Sequence, residues 1–276
     1  MSSISNTTST KPYQITPYTP RHATWPYNPS DFTRQDSSPD TSFYSSPRFV
    51  THIDDLAIAS LKSYYATVLP TKGRILDFCS SWISHYPSFI EAAATGDNPT
   101  LEITGMGMNK PELDANPLLN AGRLLIDLNA TPDNVAPALR SATSSSEEDL
   151  LDASTCVVSI DYLTSPVRVL ASILSATKPN GTIHLTISNR CFPTKAMSRW
   201  LRVDEAERLL MVGDYLHFAG WKGIEIVELS DGKVEEEQQE EEGQMGGARS
   251  LQGLFGMMGM SGRRDPLWVV RGVNEE

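Results

Sequence analysis

At 276 residues with 39% hydrophobic side chains, the chain can bury one large core or two small ones. A formal net charge of -11 argues against a general nucleic-acid or anionic-membrane surface. The three cysteines, Cys79, Cys156 and Cys191, are widely spaced, with no CxxC pair and no His/Cys ligand cluster, so neither a disulfide framework nor a metal site is expected.

Residues 1–42 are dominated by Ser, Thr, Pro, Asn and Tyr and carry no helical or alternating apolar pattern. Such a segment buries too little apolar surface to offset its ordering entropy, so it is expected to be a disordered tail before a domain spanning 43–276. No apolar run approaches the ~20 residues of a membrane span. The start lacks a basic segment leading into an apolar one, as a secretory signal needs. The chain therefore reads as intracellular and, by default, cytoplasmic. The Ser/Thr-rich start leaves an organelle transit peptide open, although Asp31, Asp36, Asp40 and the prolines fit one poorly.

From Thr51, a possible cap, Ile53, Leu56, Ala57, Ser60, Leu61 and Tyr64 recur at helical spacing up to Pro70. Lys72-Gly73 then turns into the apolar strand Arg74 to Phe78. A helix is expected from Pro87 to Ala94, stopped by Gly96-Asp97-Asn98-Pro99. Strands follow at Leu101 to Met106 and Arg123 to Leu128, then a helix at Pro132 to Ala142 and a polar loop, Thr143 to Glu148. Thr155 to Ile160 reads as a buried parallel strand. Pro166 to Thr177 reads as a helix closed by Lys178-Pro179-Asn180-Gly181, and Thr182 to Ser188 as the next strand. The helix Glu205 to Ala219 leads through Gly220-Trp221 into the strand Gly223 to Leu229, and the last strand is Pro266 to Gly272. Between those two lies 231–264, a Glu-rich and then Gly/Met-rich stretch, expected to be a flexible insert.

Strands alternating with helices predict an α/β fold with a parallel sheet. The segments RILDFCSSW, EITGMGMN, LLIDLN and CVVSIDYLTSPVRVLASILSATKPNGTIHLTISN resemble, in that order, the strand ends of the class I methyltransferases that use S-adenosylmethionine (SAM), specifically the type 11 group. The likeness covers roughly Phe43 to Leu229 and Asp265 to Val273. It implies a Rossmann-like, mostly parallel seven-stranded sheet with an antiparallel edge strand and helices on both faces. FYSSPRFVTHID, SSWISHYP, GMGMN and SNRCF further resemble a methyltransferase-like subgroup of plants, algae and fungi. In that subgroup Cys-Ser-Ser-Trp replaces the glycine-rich cofactor loop.

The resemblance implies an enzyme with SAM as cofactor and a small-molecule methyl acceptor as partner, without nucleic acid, membrane or metal. It sets no oligomeric state. In an open α/β sheet the ligand sits beyond the carboxyl ends of the strands, where strand order reverses. That places Asp77 to Ser81, Met108-Asn109, Asp127-Leu128 and Ile160 to Tyr162 around one crevice, and the resemblance implies Asp77, Cys79, Ser80, Ser81, Met108, Asn109, Asp127, Leu128 and Ile160 as the cofactor-binding residues. Asp77 would accept from the ammonium of SAM, Ser80 and Ser81 would face its carboxylate, Asn109 its ribose and Asp127 its adenine amino group. Met108 and Leu128 would sandwich the ring. Asp77 and Asp127 are equally well suited to capping their turns. Cys79 and Ser81 replace glycines acceptably if their φ is negative. Candidate bases are His85, Asp161, His52 and Tyr44, and candidate acceptor ligands are Arg48, Asn189 and Arg190. With the glycines replaced and no acid ending the second strand, a non-catalytic binder of a ligand or partner is the alternative.

Overall fold

The computed structural model describes residues 13–142, 150–232 and 264–275. The expectations for residues 1–12, for Thr143 to Glu148 and for most of the insert (233–263) lie outside the described residues. Strands β1 (Gln14–Pro17), β2 (Gly73–Phe78), β3 (Leu101–Gly107), β4 (Gly122–Leu125), β5 (Leu151–Val157), β6 (Thr177–Ser188), β7 (Lys222–Ser230) and β8 (Leu267–Val273) form one sheet. Its order is β1-β7-β8-β6-β5-β2-β3-β4. Neighbours among β2 to β6 pair in parallel, while β8 is antiparallel to both β6 and β7. The helices are α1 (Asp40–Phe43), α2 (Asp55–Val68), α3 (Ser88–Thr95), α4 (Lys110–Ala115), α5 (Val135–Ala142), α6 (Pro166–Leu174), α7 (Ser198–Arg202) and α8 (Glu205–Ala219).

This is the Rossmann-like architecture that the sequence predicts. Successive strand residues face opposite layers. Ile75, Ile103 and Val269 pack with α2 and α3, whereas Leu76, Phe78 and Val270 pack with α5, α6 and α8. Chain order runs outward from β2 to β4 and then returns to β5 on the other side of β2, so the switch point lies between β2 and β5. Among the described residues no helix is long and apolar enough to cross a membrane.

The sheet has eight strands, not seven, and the extra one comes from the segment expected to be disordered. Residues 13–34 form a strap. β1 pairs antiparallel with β7. Tyr18 and Tyr27 are buried, and Tyr18, Tyr27 and Arg21 all bond the carboxylate of Asp214 on α8. A Cβ on Gly213 would lie 2.4 Å from the Tyr18 ring, so a glycine in mid-helix makes the room for it. Trp25, Tyr27 and Phe32 also cluster with Tyr215. Isolated anchors between prolines carry no periodicity, which is why composition alone points to disorder.

Smaller differences are local. α2 is capped by Asp54, which accepts from the Ala57 N–H at 2.8 Å, rather than by Thr51. Lys178 to Gly181 is an irregularity inside β6, with Asn180 at φ +63°, rather than a turn before it. The short helices α4 and α7 have no counterpart in the sequence reading.

Candidate functional site

A cavity of about 380 Å³ opens at the switch point. Its walls are the turns after β2, β3, β4 and β5, the segment Tyr44 to Ile53 and the turn Arg190 to Phe192. The volume falls in the ~300–1,000 Å³ range of small-molecule sites.

Asp77 ends β2 and is buried. Its Oδ2 accepts from Ser80 Oγ and Ser84 Oγ, each at 2.7 Å, and among the described residues its Oδ1 has only a 3.5 Å contact from Thr155 Oγ1. Burial pushes its pKa up to about 6, against the pull of those hydroxyls. The next residue but one, Cys79, sits at φ +53°, the left-handed region that favours glycine, so the turn keeps the backbone shape of a glycine-rich loop. This differs from the negative φ that would make the replacement unstrained. Ser81 Oγ donates to Glu112 at 2.8 Å, so the hydroxyls of Ser80 and Ser81 are both engaged within the protein.

Asn109 follows β3 and caps α4. Its Oδ1 accepts from the Glu112 N–H at 3.0 Å, and its amide donates to the carbonyl of Tyr44 at 2.8 Å. Both ends of the amide expected to face a ribose therefore hold α4 and the overlying segment. Glu112 extends this tie: Oε1 accepts from the Arg48 N–H at 2.6 Å while Oε2 takes Ser81. Trp82 Nε1 adds a bond to the carbonyl of Val50 at 3.1 Å. Residues Tyr44 to Val50 are thus fastened across the cavity at three points.

After β4, Asp127 Oδ1 accepts from the N–H groups of Asn129 and Ala130, the turn-capping role. Its Oδ2 makes no hydrogen bond among the described residues. Met108 and Asp127 line the cavity, as does the buried Leu128. Asn129 joins three elements, donating to Asp40 and to the carbonyl of Tyr162 and accepting from Thr164 N–H at 2.7 Å.

Among the candidate bases, His85, Tyr44 and His52 line the cavity. His85 is buried at φ +54°, and among the described residues its Nδ1 has no hydrogen-bond partner. Burial lowers its pKa to about 4, so it is neutral at physiological pH. His52 is exposed and packs edge-on to Phe192, 5.4 Å between ring centres. Asp161 and Ile160 are buried but do not line the cavity. Among the described residues Asp161 Oδ2 has no hydrogen-bond partner, and burial raises the pKa of that carboxyl to about 8. Arg190 lines the mouth and donates to Asp265 at 2.8 Å, whereas Asn189 lies outside the lining.

The sequence reading misses Glu112, Asn129 and Phe192, whereas Tyr162, expected at the crevice, does line the cavity. For Glu112 a signal existed: Asn109-Lys-Pro-Glu112 has the spacing of a helix-capping box.

No protein-family model matches the chain, and no curated protein matches it. Solved structures do. A SAM-dependent methyltransferase from Archaeoglobus fulgidus is 12% identical, with 78% of this chain and 94% of that chain covered at a TM-score of 0.46. The 4+2 cyclase SpnF is 15% identical, with 85% and 91% covered at a TM-score of 0.48. Phosphoethanolamine N-methyltransferase 2 of Haemonchus contortus, in complex with S-adenosyl-L-methionine, is 12% identical, with 79% of this chain and 52% of that one covered at a TM-score of 0.44. The present chain thus spans about half of that enzyme. The fold class itself, a Rossmann-like α/β sheet, follows from the chain's own strand order.

Proposed function

We propose that the chain is a SAM-dependent methyltransferase acting on a small molecule, with the Cys-Ser-Ser-Trp turn as its version of the cofactor loop. The observation that carries the reading is the convergence of four successive strand-end turns on one cavity at the switch point. The residues fit the cofactor in charge. Asp77 Oδ1 and Asp127 Oδ2 remain open to donors, and these match an ammonium and an adenine amino group. Met108 and Leu128 offer apolar contact to the ring. The Cys79 turn adopts the left-handed backbone that brings a loop close to a ligand.

When bound, SAM supplies an electrophilic methyl group on a sulfonium. The chain's own work is to align an acceptor and to exclude water. The segment Tyr44 to Val50 covers the cavity, and its ties to Asn109, Glu112 and Trp82 fix the position of that cover. His85, neutral and unpartnered in the wall, takes the proton that an acceptor loses. A base with a pKa of about 4 works best on an acceptor whose proton is already acidic. The subgroup resemblance and an intracellular location belong to the same reading.

A non-catalytic binder is the second reading. It is favoured by one observation: the polar atoms of Asn109, Ser80 and Ser81 hold the protein together. Calorimetry with SAM and S-adenosylhomocysteine tests the first reading. Binding is expected, with Asp77→Ala and Asp127→Ala each weakening it about tenfold or more, ~1.4 kcal/mol. No heat with millimolar ligand on wild-type protein sinks the cofactor site. Binding without turnover of any acceptor favours the second reading.

A further inference from the structure

We infer that the methyl acceptor is a small aromatic or conjugated carboxylate, anchored by Arg48. This rests on the methyltransferase reading and names the substrate class of the same cavity.

Arg48 lies on the segment crossing the cavity and lines it. Its guanidinium carbon stands 4.5 Å from the centre of the Phe43 ring, 5.4 Å from Phe192 and 5.8 Å from Tyr44. Three rings hold the group in place while leaving its N–H edge open to a further acceptor. Its side chain makes one hydrogen bond, Nη2 to the carbonyl of Phe43 at 3.0 Å, and no salt bridge among the described residues. A guanidinium has five N–H donors in a planar fork, so most of them remain open.

The nearby acids are committed elsewhere. Glu112 gives one oxygen to the Arg48 backbone N–H and the other to Ser81. Asp40 is taken by Arg34, Asn129 and the buried Lys195. The half-buried guanidinium thus meets rings and one carbonyl but no carboxylate among the described residues, and an anion from outside would take its open donors.

Asp77 at the end of β2 and Asp127 in the turn after β4 line the sheet side of the cavity, whereas Arg48 lines it from the covering segment. Glu112 and Asp40 also line it, but their oxygens are bonded to other groups, and Arg190 is paired with Asp265. A cationic cofactor against the sheet and an anionic acceptor under the cover satisfy both sides. The planar fork matches a carboxylate in two parallel hydrogen bonds. The rings of Phe192, Tyr44, Tyr162 and Trp82 line the remaining wall and favour a flat apolar body.

The test uses the full chain with salicylate, its neutral isostere salicylamide, and phenyl phosphate as probes, titrated with and without S-adenosylhomocysteine. Salicylate is expected to bind at least about tenfold more tightly than salicylamide and than phenyl phosphate. Arg48→Met should abolish that preference, and Arg48→Lys should retain part of it. Affinity for S-adenosylhomocysteine should stay within about twofold in both variants. Equal binding of salicylate and salicylamide overturns the proposal, as does failure of all three probes to bind wild type. Preference for phenyl phosphate replaces the carboxylate by another oxyanion and overturns the class. If Arg48→Met weakens S-adenosylhomocysteine alone, Arg48 serves the carboxylate of the cofactor and the proposal falls. If Arg48→Met does not fold, retention of full salicylate selectivity in Arg48→Lys counts against a fork-specific site. Arg48-dependent salicylate binding by a protein that ignores S-adenosylhomocysteine would keep the anion site and sink the methyltransferase reading.

Discussion

The carbonyl oxygen of Ser80 lies 2.2 Å from where a Cβ on Gly107 would stand. The turn after β2 therefore presses backbone to backbone on the end of β3, a position that only glycine can fill. Gly107→Ala has to push this turn away from the strand. We expect a loss of about 1–3 kcal/mol in urea unfolding, the usual cost of overpacking, together with loss of S-adenosylhomocysteine binding. Wild-type stability and binding in this variant would show that the turn is not held against β3.

Cys79 tests the same turn from the other side. A non-glycine residue in the left-handed region costs roughly 1–2 kcal/mol, and Cys79 has φ +53°. Cys79→Gly and Cys79→Ala both lose the thiol, but only the glycine relieves the backbone. The glycine variant is expected to be the more stable by about 1 kcal/mol, the reverse of the ordinary order of these two residues. Chemical denaturation of the pair decides it.

On the proposed function, Asp77 is expected to make cofactor binding depend on pH. Its carboxyl has a pKa of about 6 because it is buried. The charged form is the one that attracts an ammonium, so affinity for SAM should be flat above about pH 7 and fall as pH drops through 6. Calorimetry from pH 5 to 8 reads this directly. Asp77→Asn should bind weakly at every pH and lose the dependence between 5 and 7.

Asp161 is expected to lower stability where it is forced to stay protonated. Burial raises its folded pKa to about 8, from the 3.8 of a solvated aspartate. Between those values the unfolded chain has released the proton while the folded chain retains it. Stability from this group is therefore complete below about pH 4 and is lost as pH rises towards 8. Asp161→Asn removes the penalty and should stabilise the protein at pH 8 by roughly 2–4 kcal/mol, with little change at pH 4. Urea titrations at the two pH values measure the difference, and equal effects at both would show that the carboxyl is ionised in the fold.

Asp214 anchors the strap. Its carboxylate accepts from Tyr18 at 2.6 Å, from Arg21 at 2.8 Å and from Tyr27. Asp214→Ala leaves the buried hydroxyls of Tyr18 and Tyr27 without their acceptor, while Arg21 keeps Glu207. Each unsatisfied buried hydroxyl costs roughly 1–3 kcal/mol. Hydrogen exchange should rise first in residues 14–34 and in the facing strand β7. Uniform exchange across the sheet would mean that the strap and the domain unfold together.

Local pattern carries much of the fold. The helix Glu205 to Ala219 is found at its expected bounds, because Asp204 caps it and Gly220, at φ +104°, ends it. Those signals lie within the segment itself. Strand order is legible too, and it brings Asp77, Cys79, Met108 and Asp127 around one cavity, although β5 runs over Leu151–Val157 rather than Thr155 to Ile160. The turn after β5 is less legible: of Ile160 to Tyr162, all expected at the crevice, Tyr162 lines the cavity, while Ile160 and Asp161 are buried outside its lining. A turn of three residues can present any of its faces, and its sequence does not say which.

By itself, then, the sequence determined the alternation of strands and helices and the chain order of the strand ends, since both follow from periodicity and turn chemistry within ten or twenty residues. Tertiary structure alone decided the rest. It docked the strap on α8 through Tyr18 and Asp214, 196 residues apart. It turned Asn109 and Glu112 into ties for the covering segment, and it gathered Phe43, Tyr44 and Phe192 around Arg48. Each of these depends on which distant groups meet when the sheet closes. A hydrogen bond or a ring contact has a range of a few ångströms in space and leaves no period in the chain.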